Sequence, residues 1–139
     1  MKTLFNLSVL LLVFGLYAFS VPEKTNEGDQ KLLIHFTMED DMVYMQCKKG
    51  CSWDKLEFDG SGEKTYSINQ DGIRESTNEL IRIRPGQEDF IFSVKKDDDG
   101  LAFIAHYGLN WKGLTANCNS LVGECVIKLN ENGVQVSSF

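Results

Sequence analysis

Seven residues, Cys47-Lys48-Lys49-Gly50-Cys51-Ser52-Trp53, gather two thiols, a turn glycine and a large aromatic ring. Thiols this close could form a redox pair. Redox pairs place two residues between the cysteines at a helix start, where the thiolate is stabilised, and that arrangement is missing here. A structural disulfide is the expected role. His35 and His106 are the only histidines, and no serine, cysteine or aspartate stands beside either in a nucleophile arrangement. Asp97-Asp98-Asp99-Gly100 offers carboxylates to calcium but lacks the alternate spacing and distal glutamate of an oxygen cage, so it reads as a hairpin turn. Zinc would need four close thiolates or imidazoles, and the two cysteine pairs are far apart. No metal or cofactor is expected. A glycine-rich phosphate loop and a Gly-x-Ser-x-Gly elbow are both absent. Hydrolysis would have to come from carboxylates that meet only in the fold, and 20 acidic residues leave that route open.

Trp53 and Trp111 occupy matching contexts, Gly50-x-x-Trp53-x-x-Leu56 and Gly108-x-x-Trp111-x-x-Leu114. Buried aromatic rings dominate core energetics, so the first expectation is that each anchors its own unit. The other is that both flank a groove and stack on a sugar or peptide, with Tyr44 and Tyr107 as further candidate binding residues.

The chain opens on Met1-Lys2, then runs apolar from Leu4 to Ala18, ending Ala18-Phe19-Ser20 before polar Pro22-Glu23-Lys24. That is the layout of a secretory signal peptide cleaved after Ser20. The apolar run of about 15 residues is short of the roughly 20 that span a bilayer. Residues 1–20 are expected to be signal, 21–30 a disordered leader and 31–139 one β domain. Losing the signal removes Lys2 and no acid, so 13 basic against 20 acidic residues give a net charge of -7 in place of -6. Such a surface repels phosphate backbones and anionic lipid, which argues against nucleic-acid or membrane-surface binding. No later stretch is apolar enough to span a membrane, so no insertion is expected after cleavage. A secreted or periplasmic monomer is expected.

The elements that must position these residues are short strands. Leu32, Ile34, Phe36 and Met38 share one face and Leu33, His35 and Thr37 the other, a period of two. Residues 42–47, 53–58, 64–68, 90–95, 101–105, 111–114, 125–129 and 133–136 read the same way. Turn-rich Asp59-Gly60-Ser61-Gly62 and Asn69-Gln70-Asp71-Gly72 lie between them. Residues 76–80 are the one stretch able to start a short helix, and 80–84 reads as a strand ended by Pro85-Gly86. The pattern is all-β: an antiparallel sandwich or open barrel of about eight strands.

The strands recur as two four-stranded units, about residues 33–73 and 90–134. Phe36-Thr37-Met38 answers to Phe92-Ser93-Val94, the Gly-x-x-Trp blocks to each other, and Ile68-Asn69-Gln70-Asp71-Gly72-Ile73 to Leu129-Asn130-Glu131-Asn132-Gly133-Val134. Short insertions in the second copy are expected at its acidic turn and around Cys118. The cysteines do not follow the repeat: Cys47 and Cys51 align with Ala105 and Leu109, and Cys125 with Lys64. Four cysteines allow three pairings. Long links across the repeat would constrain the unfolded chain more, by roughly 4 against 2–2.5 kcal/mol. Local turn geometry and the repeat favour the short links, Cys47–Cys51 and Cys118–Cys125.

Residues 47–58 resemble a Cys-x-x-Gly-Cys-x-Trp-x-x-Leu-x-Phe pattern of small secreted proteins of Bacteroidetes-type bacteria, and Asn69-Gln70-Asp71-Gly72 fits the same pattern. The likeness covers about residues 42–73 well. It implies a bacterial exported protein and transfers no catalytic residue. Two functions are therefore expected: a non-enzymatic secreted module binding a protein, peptide or glycan, or a small secreted hydrolase with convergent carboxylates. A third is an inhibitor presenting the Lys48-Lys49 turn.

Overall fold

A computed structural model describes residues 29–76, 84, 86–118 and 124–138. The expected signal peptide lies outside them, as do most of the leader and all but Arg84 of the strand expected over 80–84. Ten strands follow one another: β1 (Leu33–Glu39), β2 (Met42–Lys49), β3 (Lys55–Asp59), β4 (Thr65–Asn69), β5 (Gly72–Glu75), β6 (Ile91–Asp97), β7 (Gly100–Tyr107), β8 (Gly113–Asn117), β9 (Cys125–Asn130) and β10 (Gly133–Ser138). They form two antiparallel five-stranded sheets, β10-β9-β1-β2-β3 and β5-β4-β6-β7-β8. The result is a sandwich, not closed into a barrel, with ten strands where about eight were expected. The strand missed in the first half is β5, whose Ile73-Arg74-Glu75 carries one apolar residue and so shows no period.

Alternation along each strand builds the core. Ile34, Phe36, Val43, Phe92, Val94, Ile127 and Leu129 are wholly buried between the sheets. Phe36 of the first sheet meets Phe103 and Phe92 of the second edge-on, at centroid distances of 5.2 and 6.4 Å. Edge-to-face rings add attraction beyond the area they bury.

After three strands in one sheet, the chain crosses to the other. The β4-β5 hairpin lies beside β6, and the β9-β10 hairpin returns beside β1. Shifting every strand number by five carries one sheet order onto the other. Ladder register then identifies equivalent positions. Phe36 faces Met45 in one sheet, and Val94 faces Phe103 in the other. Ile34 therefore corresponds to Phe92, and Phe36 to Val94. Both acidic turns hold two residues, between Glu39 and Met42 and between Asp97 and Gly100. Pairing Phe36 with Phe92 is two residues out of step, and no insertion falls at the acidic turn. Period-two sequences tolerate a slip of two because every side chain keeps its face.

The two edges differ through side-chain size. Phe58 and Tyr66 pack as tilted rings with centroids 4.4 Å apart between β3 and β4, and the Tyr66 hydroxyl donates to the Asp59 carbonyl at 2.9 Å. Ala116 and Ile127 fill the corresponding positions, and there β8 and β10 approach within 8 Å between Cα atoms.

Candidate functional site

Each tryptophan is placed by the glycine three residues before it. Gly50 has φ +91° and Gly108 φ +73°. A Cβ at Gly50 would meet the Lys31 carbonyl oxygen at 2.5 Å, and one at Gly108 the Asp89 carbonyl oxygen at 2.0 Å. Only glycine lets these loops close over the start of β1 and of β6. Trp53, between β2 and β3, donates its indole N–H to the Asn69 carbonyl at 3.0 Å. Trp111, between β7 and β8, donates to the Asn130 carbonyl at 3.0 Å. Each ring thus ties a loop of one sheet to a hairpin of the other. Trp111 is 9% exposed and packs on Phe92 and Phe103 at 6.2 and 6.5 Å. Trp53 is half-buried.

The hairpins receiving these bonds are built alike. The Asn69 side-chain oxygen accepts from the backbone N–H of Asp71 and Gly72, and that of Asn130 from Asn132 and Gly133, all at 2.8–3.0 Å. Such caps hold a turn through the asparagine's own backbone neighbours. Glu131 clamps the entry to β1 by accepting from the N–H of Lys31 and Leu32 at 2.8 and 3.2 Å. Gln70 does the same with the N–H of Asp89 at 3.2 Å. Burial would raise the Glu131 carboxyl, but those backbone donors and the Lys31 charge outweigh it and hold it below the ordinary range.

Both disulfides take the short links, Cys47–Cys51 and Cys118–Cys125, with Cα separations of 6.2 and 5.9 Å. They fit an oxidising compartment. Lys49 pairs with Leu33 in the ladder, so the Lys48-Lys49 turn is fastened to β1 at its second residue.

His106 does have a serine within reach, against the reading of the sequence. The Ser93 hydroxyl oxygen lies 2.7 Å from His106 Nε2. A Ser–His contact at this distance is the geometry of an activated nucleophile. Ser93, however, is 5% exposed, and no carboxylate among the described residues bonds the imidazole to orient it. Burial lowers the His106 pKa and keeps the ring neutral. The pair satisfies a buried hydroxyl.

The outer face of the first sheet holds a concavity of about 530 Å³. Its floor lies on two rows of outward side chains. The first is His35, Gln46 and Lys55 on β1, β2 and β3, with Lys128 of β9 next in the row but outside the lining; the second is Val126, Thr37, Tyr44 and Glu57 on β9, β1, β2 and β3. Small-ligand sites have volumes of about 300–1,000 Å³ and join apolar or aromatic surface to a few polar groups. Tyr44 is 37% exposed, unusual for so large a ring. The side chains of Tyr44, Gln46, Lys55 and Glu57 make no hydrogen bond or ion pair with any described residue. The matching positions of the second sheet carry Ala102 for Tyr44, Ile104 for Gln46, Gly113 for Lys55 and Thr115 for Glu57. Only one sheet is equipped in this way.

Of the four aromatic residues singled out in the sequence, Tyr44 alone lines the concavity. Tyr107 ends β7 in the other sheet, opposite Ile91. His35, Gln46, Lys55 and Glu57 are the lining residues that sequence reasoning missed as a group. Strand alternation placed each on a solvent face, and it is the β1-β2 and β2-β3 pairings that set His35, Gln46 and Lys55 in one row with Glu57 in the next. Among the described residues, no group of three or more histidine, cysteine, aspartate or glutamate side chains could hold a metal ion, and no helix is long and apolar enough to cross a membrane. Comparison with protein-family models, with curated proteins and with solved structures finds no match.

Proposed function

We propose that this chain is an exported bacterial binding module whose ligand site is the outer face of β9, β1, β2 and β3. The observation that carries the reading is the concavity of about 530 Å³ in which Tyr44, Gln46, Lys55 and Glu57 stand without partners among the described residues. Its size suits a small polar ligand, such as a short peptide or a glycan. Export is supported by the two disulfides and by the signal-like start of the chain. Bacterial origin rests on the Cys-x-x-Gly-Cys-x-Trp resemblance. The two halves are copies of one five-stranded unit, supported by the five-strand shift that relates the sheets and by the matched tryptophan bonds. Duplication left the second sheet plain and the first specialised. Charged Lys55, Glu57 and Asp59 on edge strand β3 oppose edge-to-edge pairing and support a monomer.

A hydrolase reading has less support. Glycoside hydrolysis uses two carboxylates, and Glu57 is the one carboxylate among the described residues lining the concavity. The test is Tyr44→Ala. Screened against peptides and glycans, the protein should show a ligand whose affinity falls at least tenfold in this variant while its melting temperature stays put. A ligand bound equally by both proteins would place the site elsewhere.

A further inference from the structure

We infer that the ligand of this face is a short zwitterionic peptide lying along the strands, its carboxylate toward Lys55 and its ammonium toward Glu57. The inference rests on the reading of this face as the ligand site and names what fills it. Its basis is the sorting of charge by row. Lys128 and Lys55 stand in one row, and Glu57 in the next. Glu39 and Asp59 flank Met42 in the row beyond. On a chain of net charge -6, this face thus has a cationic end and an anionic end. The two ends are separated along the strand direction.

The spacing fits the ligand. Residues two apart on a strand are about 6.6–6.8 Å apart. An extended dipeptide spans at most about 7 Å, so its two termini match the Lys55-to-Glu57 step. On the neighbouring strand β2 the Tyr44 ring stands opposite Glu57 and the Gln46 amide opposite Lys55, and the amide offers both a donor and an acceptor to a peptide group. Lys55 and Glu57 are neighbours of opposite sign, yet neither forms an ion pair with a described residue; Lys96–Asp41 does so at 3.7 Å on another part of the surface. Protection of a bare edge accounts for charges on β3. It does not account for Lys128, which stands on β9 between two other strands, or for an exposed tyrosine and a glutamine beside those charges. A neutral sugar would draw nothing from the sorted charge. Hydrogen bonds from the Ser61 side chain and then its backbone N–H hold the exposed Asp59 carboxyl below the ordinary range.

The experiment titrates the oxidised protein with alanyl-alanine, its N-acetyl form, its C-terminal amide and maltose, reading heat and backbone amide shifts. Alanyl-alanine should bind at least tenfold more tightly than either blocked form and shift amides of residues 35–37, 44–46 and 55–57. Glu57→Gln should reduce its affinity to that of the acetylated peptide, and Lys55→Gln to that of the amide. Equal binding of free and blocked peptides overturns the zwitterion inference. So does maltose binding at these amides without peptide binding, which would leave the site reading standing. Amide shifts confined to the second sheet overturn both. No binding by any probe overturns the zwitterion inference.

Discussion

Replacing Trp111 by phenylalanine separates the two tryptophans more sharply than any other change. The substitution deletes the indole N–H that reaches the Asn130 carbonyl at 3.0 Å and leaves a void beside Phe92 and Phe103. An abandoned buried acceptor costs about 1–3 kcal/mol. The smaller ring gives up roughly 2 kcal/mol of apolar burial at about 0.8 kcal/mol per methylene equivalent. Together the loss is about 3–5 kcal/mol, or roughly 10–20 °C in melting temperature for a domain of this size. Trp53 makes the matching bond to Asn69 but is half-buried, so water can replace the donor. Trp53→Phe should cost about 1 kcal/mol. Urea unfolding followed by far-ultraviolet circular dichroism, with both disulfides intact, measures the two. Equal losses, or a loss under about 1 kcal/mol for Trp111→Phe, would refute the view that both rings bridge the sheets and that burial grades them.

Gly108→Ala forces a side chain into a left-handed backbone and onto the Asp89 carbonyl, and should destabilise by at least about 1–3 kcal/mol in the same unfolding assay. Glu131→Gln should weaken the clamp on Lys31 and Leu32, read as faster amide hydrogen exchange at the start of β1 with the second sheet unchanged. Burial lowers the folded-state pKa of His106, so the unfolded chain takes up its proton first on acidification. Its contribution is therefore complete above about pH 6.5 and is lost as pH falls from there through the lowered folded value. His106→Gln should flatten that part of the stability profile, and an unchanged slope between pH 7 and 5 would contradict it.

Much of the fold was legible because it rests on alternation. Phe36 and Ile34 inward, His35 and Thr37 outward, is visible in the residues alone, and so are the turns at Asn69-Gln70-Asp71-Gly72 and Asp97-Asp98-Asp99-Gly100. The local disulfides were legible too, since a turn between Cys47 and Cys51 can bring their Cα atoms within bonding reach. Other features depended on pairing. Strand β5 hides because Arg74 and Glu75 break the period. The register in which one sheet overlays the other was masked by a slip of two, which periodicity cannot detect. Hairpin β9-β10 lies beside β1 through contacts between distant residues such as Thr37 and Val126, for which no local signal exists. The β9 border of the candidate site, Val126, depends on that return. Without it, Lys128 and Val126 would not complete the rows that His35 and Tyr44 begin, and the Ser93–His106 contact likewise arises only from the β6-β7 pairing.

The most direct test of the central claim is a map of backbone amide shifts in the oxidised protein against a pooled library of short peptides and glycans. The account predicts shifts gathered at residues 35–37, 44–46, 55–57 and 126–128, with the positions around Ser93, Ala102 and Ile104 silent. Shifts centred on those second-sheet positions, or on the tryptophan loops, would contradict it.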